Sequence, residues 1–195
     1  MDETAQRAAL LSAMTTEHFV LQTANGSTYA EASARSMLYV TALSSALIAM
    51  GFLAGSAEAF MPFAATVLPA VFLLGLFTVV RLVETALESM LYMNGIARIR
   101  AYYRTLGAEA ARQFAPEFGR WPEIEPPALR LGRTFAFFGT TASMIAVINN
   151  VVAGASIALL TRSIAAGIAV ALVLTVLFYV YQSWRFRDFE ARSGG

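Results

Sequence analysis

The sequence predicts an all-α, polytopic membrane protein with four transmembrane helices arranged as two helical hairpins. Of the 195 residues, 57% are hydrophobic and only 14% are charged, whereas soluble domains carry about 25% charged residues. Residues 36–57, 59–80, 134–161 and 163–184 contain no Asp, Glu, Arg, Lys or His. Each block reaches the length of about 20 residues that a helix needs to cross the hydrocarbon.

The N-terminal segment, residues 1–27, is predicted to form a cytoplasmic amphipathic helix that ends in a turn at Asn25-Gly26. Thr28 and Glu31 then have the spacing of a capping box, which marks the start of the next helix. This segment is acidic and lacks the apolar core of a signal peptide, so the first span is expected to insert uncleaved.

Residues 28–106 are predicted to form the first hairpin. Span one covers about residues 36–55, and Glu58 is the only charged residue in the turn that follows. Span two has no stop signal at its inner end, since its helical pattern continues past Arg81 toward Gly107. We therefore expect helix two to extend into the cytoplasm.

Residues 107–133 are predicted to form a cytoplasmic loop that contains arginines, Trp121 and four prolines, with a short helix at 108–114. The prolines are Pro116, Pro122, Pro126 and Pro127. Residues 134–184 are predicted to form the second hairpin, with spans at about 135–160 and 164–184, and residues 185–195 a cytoplasmic tail.

The distribution of arginine predicts the orientation. All 14 basic residues are arginines, and only Arg162, between spans three and four, falls on the side opposite to the others. Because cytoplasmic loops carry the excess of basic residues, both termini and the central loop are expected in the cytoplasm.

This chain lacks the residues that several classes of function require. The absence of cysteine excludes disulfides and thiolate chemistry. His18 is the only histidine and lies outside any metal-ligand spacing, and there is no glycine-rich phosphate loop. A net charge of +1 gives no indication of nucleic-acid binding. We expect no cofactor, no metal and no enzymatic activity.

Three segments carry a family resemblance: residues 15–24 (TTEHFVLQTA), 31–35 (EASAR) and 144–149 (MIAVIN). They resemble an uncharacterised family of small bacterial four-span integral membrane proteins. The resemblance implies a location in the bacterial plasma membrane and a four-span layout, and it implies no catalytic residues.

Asn149 and Asn150 are candidates for pore lining or for helix contacts, because amides within a span are costly unless they are paired. Glu58 is a second kind of candidate, since a ring of such residues in an oligomer would attract cations at a pore entrance. Its other interpretation is a solvated position in the outer turn.

Two charged groups lie near the inner end of span two. The first follows the spacing i, i+3, i+7, which places its members on one helix face as an ion pair, an oligomer contact or an ion vestibule; its members are Arg81, Glu84 and Glu88. The second alternates basic and aromatic side chains and predicts contact with lipid headgroups; its members are Arg98, Arg100, Tyr102, Tyr103 and Arg104.

Two functions remain open from the sequence. The first is a membrane scaffold or signalling component whose cytoplasmic residues, 1–35 and 84–133, bind a protein partner. The alternative is an oligomeric ion-conducting pore or a small transporter, for which several copies would have to surround a shared path. The expected partners are the lipid bilayer, further copies of the chain and a cytoplasmic protein, with no nucleic acid.

Overall fold

The computed structural model describes residues 2–115 and 139–193, and helices account for nearly all of them. The helices in these two ranges are α1 (Glu3–Leu53), α2 (Ala57–Arg104), α3 (Ala108–Gln113), α4 (Thr141–Thr161) and α5 (Ile164–Ser193). The described residues contain no β-strand. The all-α class predicted from the sequence is therefore confirmed.

Four of these helices, α1, α2, α4 and α5, are long and apolar enough to cross a membrane. Their number agrees with the four uncharged blocks of the sequence. Large apolar side chains lie on their outer surfaces, and Phe52, at 86%, is the most exposed of them. Soluble monomers rarely expose contiguous apolar patches larger than a few hundred Å². This combination is that of a multi-pass membrane protein.

The chain divides into two compact units. Unit 1 consists of the described residues of Met1–Glu31 and Thr85–Phe135, and unit 2 consists of Ala32–Glu84 and the described residues of Ala136–Gly195. Both α1 and α2 contribute residues to each unit. Helix α3 belongs to unit 1, whereas α4 and α5 belong to unit 2.

Helix α1 runs without a break through Asn25-Gly26, so the predicted turn there, and the predicted start of a new helix at Thr28, are wrong. Asn25 is buried and accepts a hydrogen bond from Ser89 Oγ at 2.7 Å. Thr28 donates its hydroxyl back to the Asn25 carbonyl at 2.7 Å instead of capping a helix. Contacts within unit 1 thus outweigh the local turn propensity of Asn-Gly.

Helix α2 continues past Arg81 and ends at Arg104, so the helical pattern has no stop near Arg81, as predicted. Helix α3 occupies the position of the short helix expected at 108–114. The loop prolines with Trp121 and the expected start of span three near residue 135 lie outside the described residues.

Two residues, Arg162 and Ser163, join α4 to α5. Arg162 has a left-handed backbone with φ of 55°, the conformation with which helices commonly end. Ser163 Oγ accepts a hydrogen bond from the Ala166 amide at 3.3 Å, which caps the start of α5. Helix α5 then continues to Ser193, so residues 185–193, predicted to be a tail, extend this helix.

Candidate functional site

Asn149 of α4 is a buried polar side chain at the centre of a contact among three helices of unit 2. Tyr39 of α1 donates its hydroxyl to Asn149 Oδ1 at 3.2 Å. Asn149 Nδ2 donates to the Phe72 carbonyl of α2 at 3.1 Å. Gly75 permits this approach, because a Cβ at that position would overlap the side chains of Asn149 and Tyr39. One amide therefore connects α4 to α1 and α2.

Asn150, the next residue on α4, contacts α5. Its Nδ2 donates to Thr175 Oγ1 at 3.1 Å, and Thr175 donates its own hydroxyl to the Ala171 carbonyl at 2.8 Å. Hydrogen bonds between helices in a membrane contribute about 0.6–2 kcal/mol each. Together, the two asparagines tie α4 to the other three long helices.

Gln182 supplies a third buried amide, on α5. Ser143 Oγ donates to Gln182 Oε1 at 3.2 Å, and Gln182 Nε2 donates to Thr140 Oγ1 at 3.4 Å. Thr140 is also the N-cap of α4, where it accepts a hydrogen bond from the Ser143 amide at 3.2 Å. These contacts hold the first turn of α4 against α5.

Glu84 of α2 and Arg185 of α5 form a bidentate ion pair. Arg185 Nε lies 2.9 Å from Glu84 Oε1, and Arg185 Nη2 lies 2.5 Å from Glu84 Oε2. Both side chains are partly buried, and two parallel charge-assisted bonds are stronger than a single one. Asp188 extends the network, since it lies 3.8 Å from Arg185 and 3.1 Å from Arg192.

The remaining candidates near these charges have different surroundings. Arg81 is partly exposed in unit 2, Glu88 is partly exposed in unit 1, and each interacts with other groups. Glu58 is exposed in the first turn of α2, where a carboxylate is favourable for the helix dipole.

Glycines bring α4 and α5 into close contact. A Cβ at Gly154 would lie 2.6 Å from the Gly167 carbonyl oxygen and 3.0 Å from Ala171 Cβ. Small residues allow such backbone approach between helices in membranes, where packing replaces the hydrophobic effect as the main attraction.

Unit 1 has a polar contact of its own. Besides accepting from Ser89, Asn25 donates its amide to Met93 Sδ at 3.6 Å. Nearby, a Cβ at Gly95 would lie 2.9 Å from Leu21 Cδ1. Lower numbers on α1 thus meet higher numbers on α2, so the two segments run antiparallel within this unit.

Part of the predicted headgroup cluster contacts Phe114, the residue that follows α3, within unit 1. Arg104 Nη1 donates to the Phe114 carbonyl at 3.3 Å. Arg100 lies over the Phe114 ring at 5.7 Å, and the Tyr103 ring centroid is 5.2 Å from the same ring. Arg98 is exposed. Contact of this cluster with lipid headgroups stays a prediction.

Four residues of the unit 2 contacts were not predicted from the sequence: Tyr39, Gly75, Thr175 and Gln182. All four lie in uncharged blocks, and a search for charges does not detect them. The available signal was an uncharged polar or very small residue within a span, since such residues are enriched at helix contacts in membranes.

In the described ranges, no group of three His, Asp or Glu side chains is placed to hold a metal ion. No protein-family model, no curated protein and no solved structure matches this chain.

Proposed function

We propose that this chain is a multi-pass protein of the bacterial plasma membrane that acts as a non-conducting scaffold or signalling component. In this proposal α1, α2, α4 and α5 cross the bilayer as two hairpins, and both termini and unit 1 lie in the cytoplasm. Unit 1 then carries a surface that binds a partner protein. Membership of the small bacterial four-span family is part of the same proposal.

The pairing of amides within unit 2 carries the proposal. Asn149, Asn150 and Gln182 each give hydrogen bonds to other helices. A water-filled pore requires polar groups that face its axis, whereas each of these amides pairs with a neighbouring helix, and among the described residues only the Oδ1 of Asn150 has no donor. The alternative, an oligomeric pore or a small transporter, would need a second set of polar groups along a path between copies.

The order of the contacts supports the two hairpins. On α4 and α5, Asn150 meets Thr175 whereas the earlier Ser143 meets the later Gln182, so the two helices run antiparallel. The antiparallel contact within unit 1 supports the first hairpin in the same way. The junction of α4 and α5 contains one of the 14 arginines of the sequence, and this low count supports an outer location for it, because cytoplasmic segments carry the excess of basic residues.

The proposed partner surface lies on α1 in unit 1, around two adjacent apolar side chains. Phe19 is 64% exposed and Val20 is 55% exposed. Thr23, one turn further on, donates its hydroxyl to the Phe19 carbonyl at 2.9 Å. Because the hydroxyl is used in this way, the Thr23 methyl group adds to the apolar face. In the cytoplasm such an apolar face is suited to an amphipathic helix of a partner protein.

A photo-crosslinking amino acid at position 19, in the full chain in native membranes, tests this surface. Glu17 is the matched control position, because it is exposed and lies about 160° away around the helix. We expect a defined adduct from position 19 only. We also expect Val20→Ser to lower its yield at least fivefold, since burial of a valine contributes about 1.5–3 kcal/mol.

Three outcomes of this experiment oppose the proposal. They are the absence of an adduct at position 19, equal adducts from positions 17 and 19, and an adduct whose mass equals two copies of the chain. The last outcome would favour an oligomer and therefore the alternative function.

A further inference from the structure

Unit 2 contains a cavity of about 270 Å³ between α2, α4 and α5. Its walls are mainly apolar and aromatic side chains, together with the two asparagines of α4. The lining residues are Phe72, Leu76, Val79, Val80, Ala146, Asn149, Asn150, Leu174, Leu177, Phe178 and Tyr181. The cavity opens to the outer surface of the unit, where Leu76, Val80 and Leu177 are exposed.

Asn150 gives this cavity a free hydrogen-bond acceptor. Its Nδ2 is used by Thr175, and within residues 2–115 and 139–193 no group donates to its Oδ1. The residue is only 7% exposed. The Asn150 Oδ1 atom itself keeps accessible surface, so a donor from a bound molecule can reach it, and in an apolar environment an amide oxygen without a donor is unfavourable.

Size and wall chemistry restrict the occupant. A buried water needs about two to four polar partners, which mainly apolar walls do not provide. An apolar cavity of about 150 Å³ takes up benzene, so this cavity of about 270 Å³ has room for a molecule of about two rings.

We propose that this cavity binds a small apolar molecule that carries one hydrogen-bond donor, with the donor pairing to Asn150 Oδ1. The open side consists of apolar side chains on helices able to cross a membrane. The ligand therefore enters laterally from the hydrocarbon of the bilayer. This binding site is independent of the partner surface in unit 1.

Two matched probes test the proposal with the purified full chain in detergent. 1-Naphthol carries a hydroxyl donor, and naphthalene has the same rings without it. Ligand binding stabilises the folded state by RT ln(1 + [L]/Kd), so both affinities follow from the dependence of the unfolding midpoint on probe concentration. We expect 1-naphthol to bind about fivefold more tightly than naphthalene, the effect of one net hydrogen bond.

Three variants locate the binding. Leu174→Trp fills the cavity and is expected to abolish the response to both probes. Val176→Trp is the control, because Val176 is exposed on the same helix and does not line the cavity; it also corrects for partition of the probes into micelles. Asn150→Leu is expected to retain naphthalene binding and to remove the preference for 1-naphthol.

The proposal is overturned if wild-type protein binds the two probes equally, or if it binds neither more than micelles do. It is also overturned if the cavity-filling variant responds as Val176→Trp does. Should Leu174→Trp not fold, Ala146→Leu fills the same cavity from α4. The wild-type comparison decides the role of the donor without any variant.

Discussion

Gly75 allows the Asn149 amide to lie against the backbone of α2. The amide nitrogen reaches the Phe72 carbonyl at 3.1 Å, and a side chain at position 75 would occupy the same space. Glycine within a helix costs about 1 kcal/mol relative to alanine. Here that cost is offset, because an unpaired amide in a span is more expensive.

Gly75→Ala is therefore expected to destabilise the protein by about 1–3 kcal/mol, the range for overpacked positions. The free energy of unfolding in mixed micelles, titrated with a denaturing detergent, measures the effect. Gly51→Ala is the control, because a Cβ there meets nothing within 4 Å; it should leave stability unchanged or raise it slightly. Equal losses at both positions would contradict this account of Gly75.

At the residue scale, the sequence identified which side chains needed partners but not which partners they have. Asn149 and Asn150 stand out because an amide is expensive in hydrocarbon. Their partners include a backbone carbonyl, at Phe72, and a carbonyl has no sequence signature. Tyr39 and Thr175 are polar residues within spans, as the asparagines are. Which of them pair depends on the rotation of each helix about its axis, and composition does not determine that rotation.

At the scale of elements, α1 shows how tertiary contacts decide a local ambiguity. Asn-Gly is a strong turn signal, yet the helix passes through it because Asn25 is used by Ser89 and Met93. The sequence predicted the long helix α2 correctly, since no proline or glycine interrupts its C-terminal half before Gly95. The burial of Asn25, in contrast, leaves no periodic pattern in the sequence, so it was not predicted.

The continuous α1 predicts the response of Gly26 to substitution. In an exposed helical position, Gly26→Ala should raise the free energy of unfolding by about 0.5–1 kcal/mol, since its added Cβ meets nothing within 4 Å. Ala24→Gly, in the same helix, should lower it by a similar amount. Circular dichroism during thermal unfolding in detergent measures both. Destabilisation by Gly26→Ala would instead indicate the turn.

At the scale of the whole molecule, the four helices able to span a membrane follow directly from the uncharged blocks. Hydrocarbon excludes charge and requires every backbone group to be paired within a helix. The distribution of charged residues along the sequence therefore predicts the number of these helices. Composition does not predict the division into two units. That division depends on contacts such as Asn25 with Ser89 and Asn149 with Tyr39, which join residues distant in sequence.

The same contacts bear on function. Tyr39 and Phe72 engage both the oxygen and the nitrogen of the Asn149 amide, so this amide is not available to replace the hydration shell of a moving ion. In the proposed function, the paired amides of unit 2 serve helix packing, and the partner surface of unit 1 and the cavity of unit 2 bind other molecules.

Ion flux into proteoliposomes tests this central claim most directly. Vesicles that contain the purified wild-type chain are compared with protein-free vesicles under K⁺, Na⁺, Cl⁻ and proton gradients, and Asn149→Leu is measured in parallel. The account predicts that wild type and variant are as impermeable as the empty vesicles. Flux above that background in wild type, changed by Asn149→Leu, would contradict it and establish a conducting assembly.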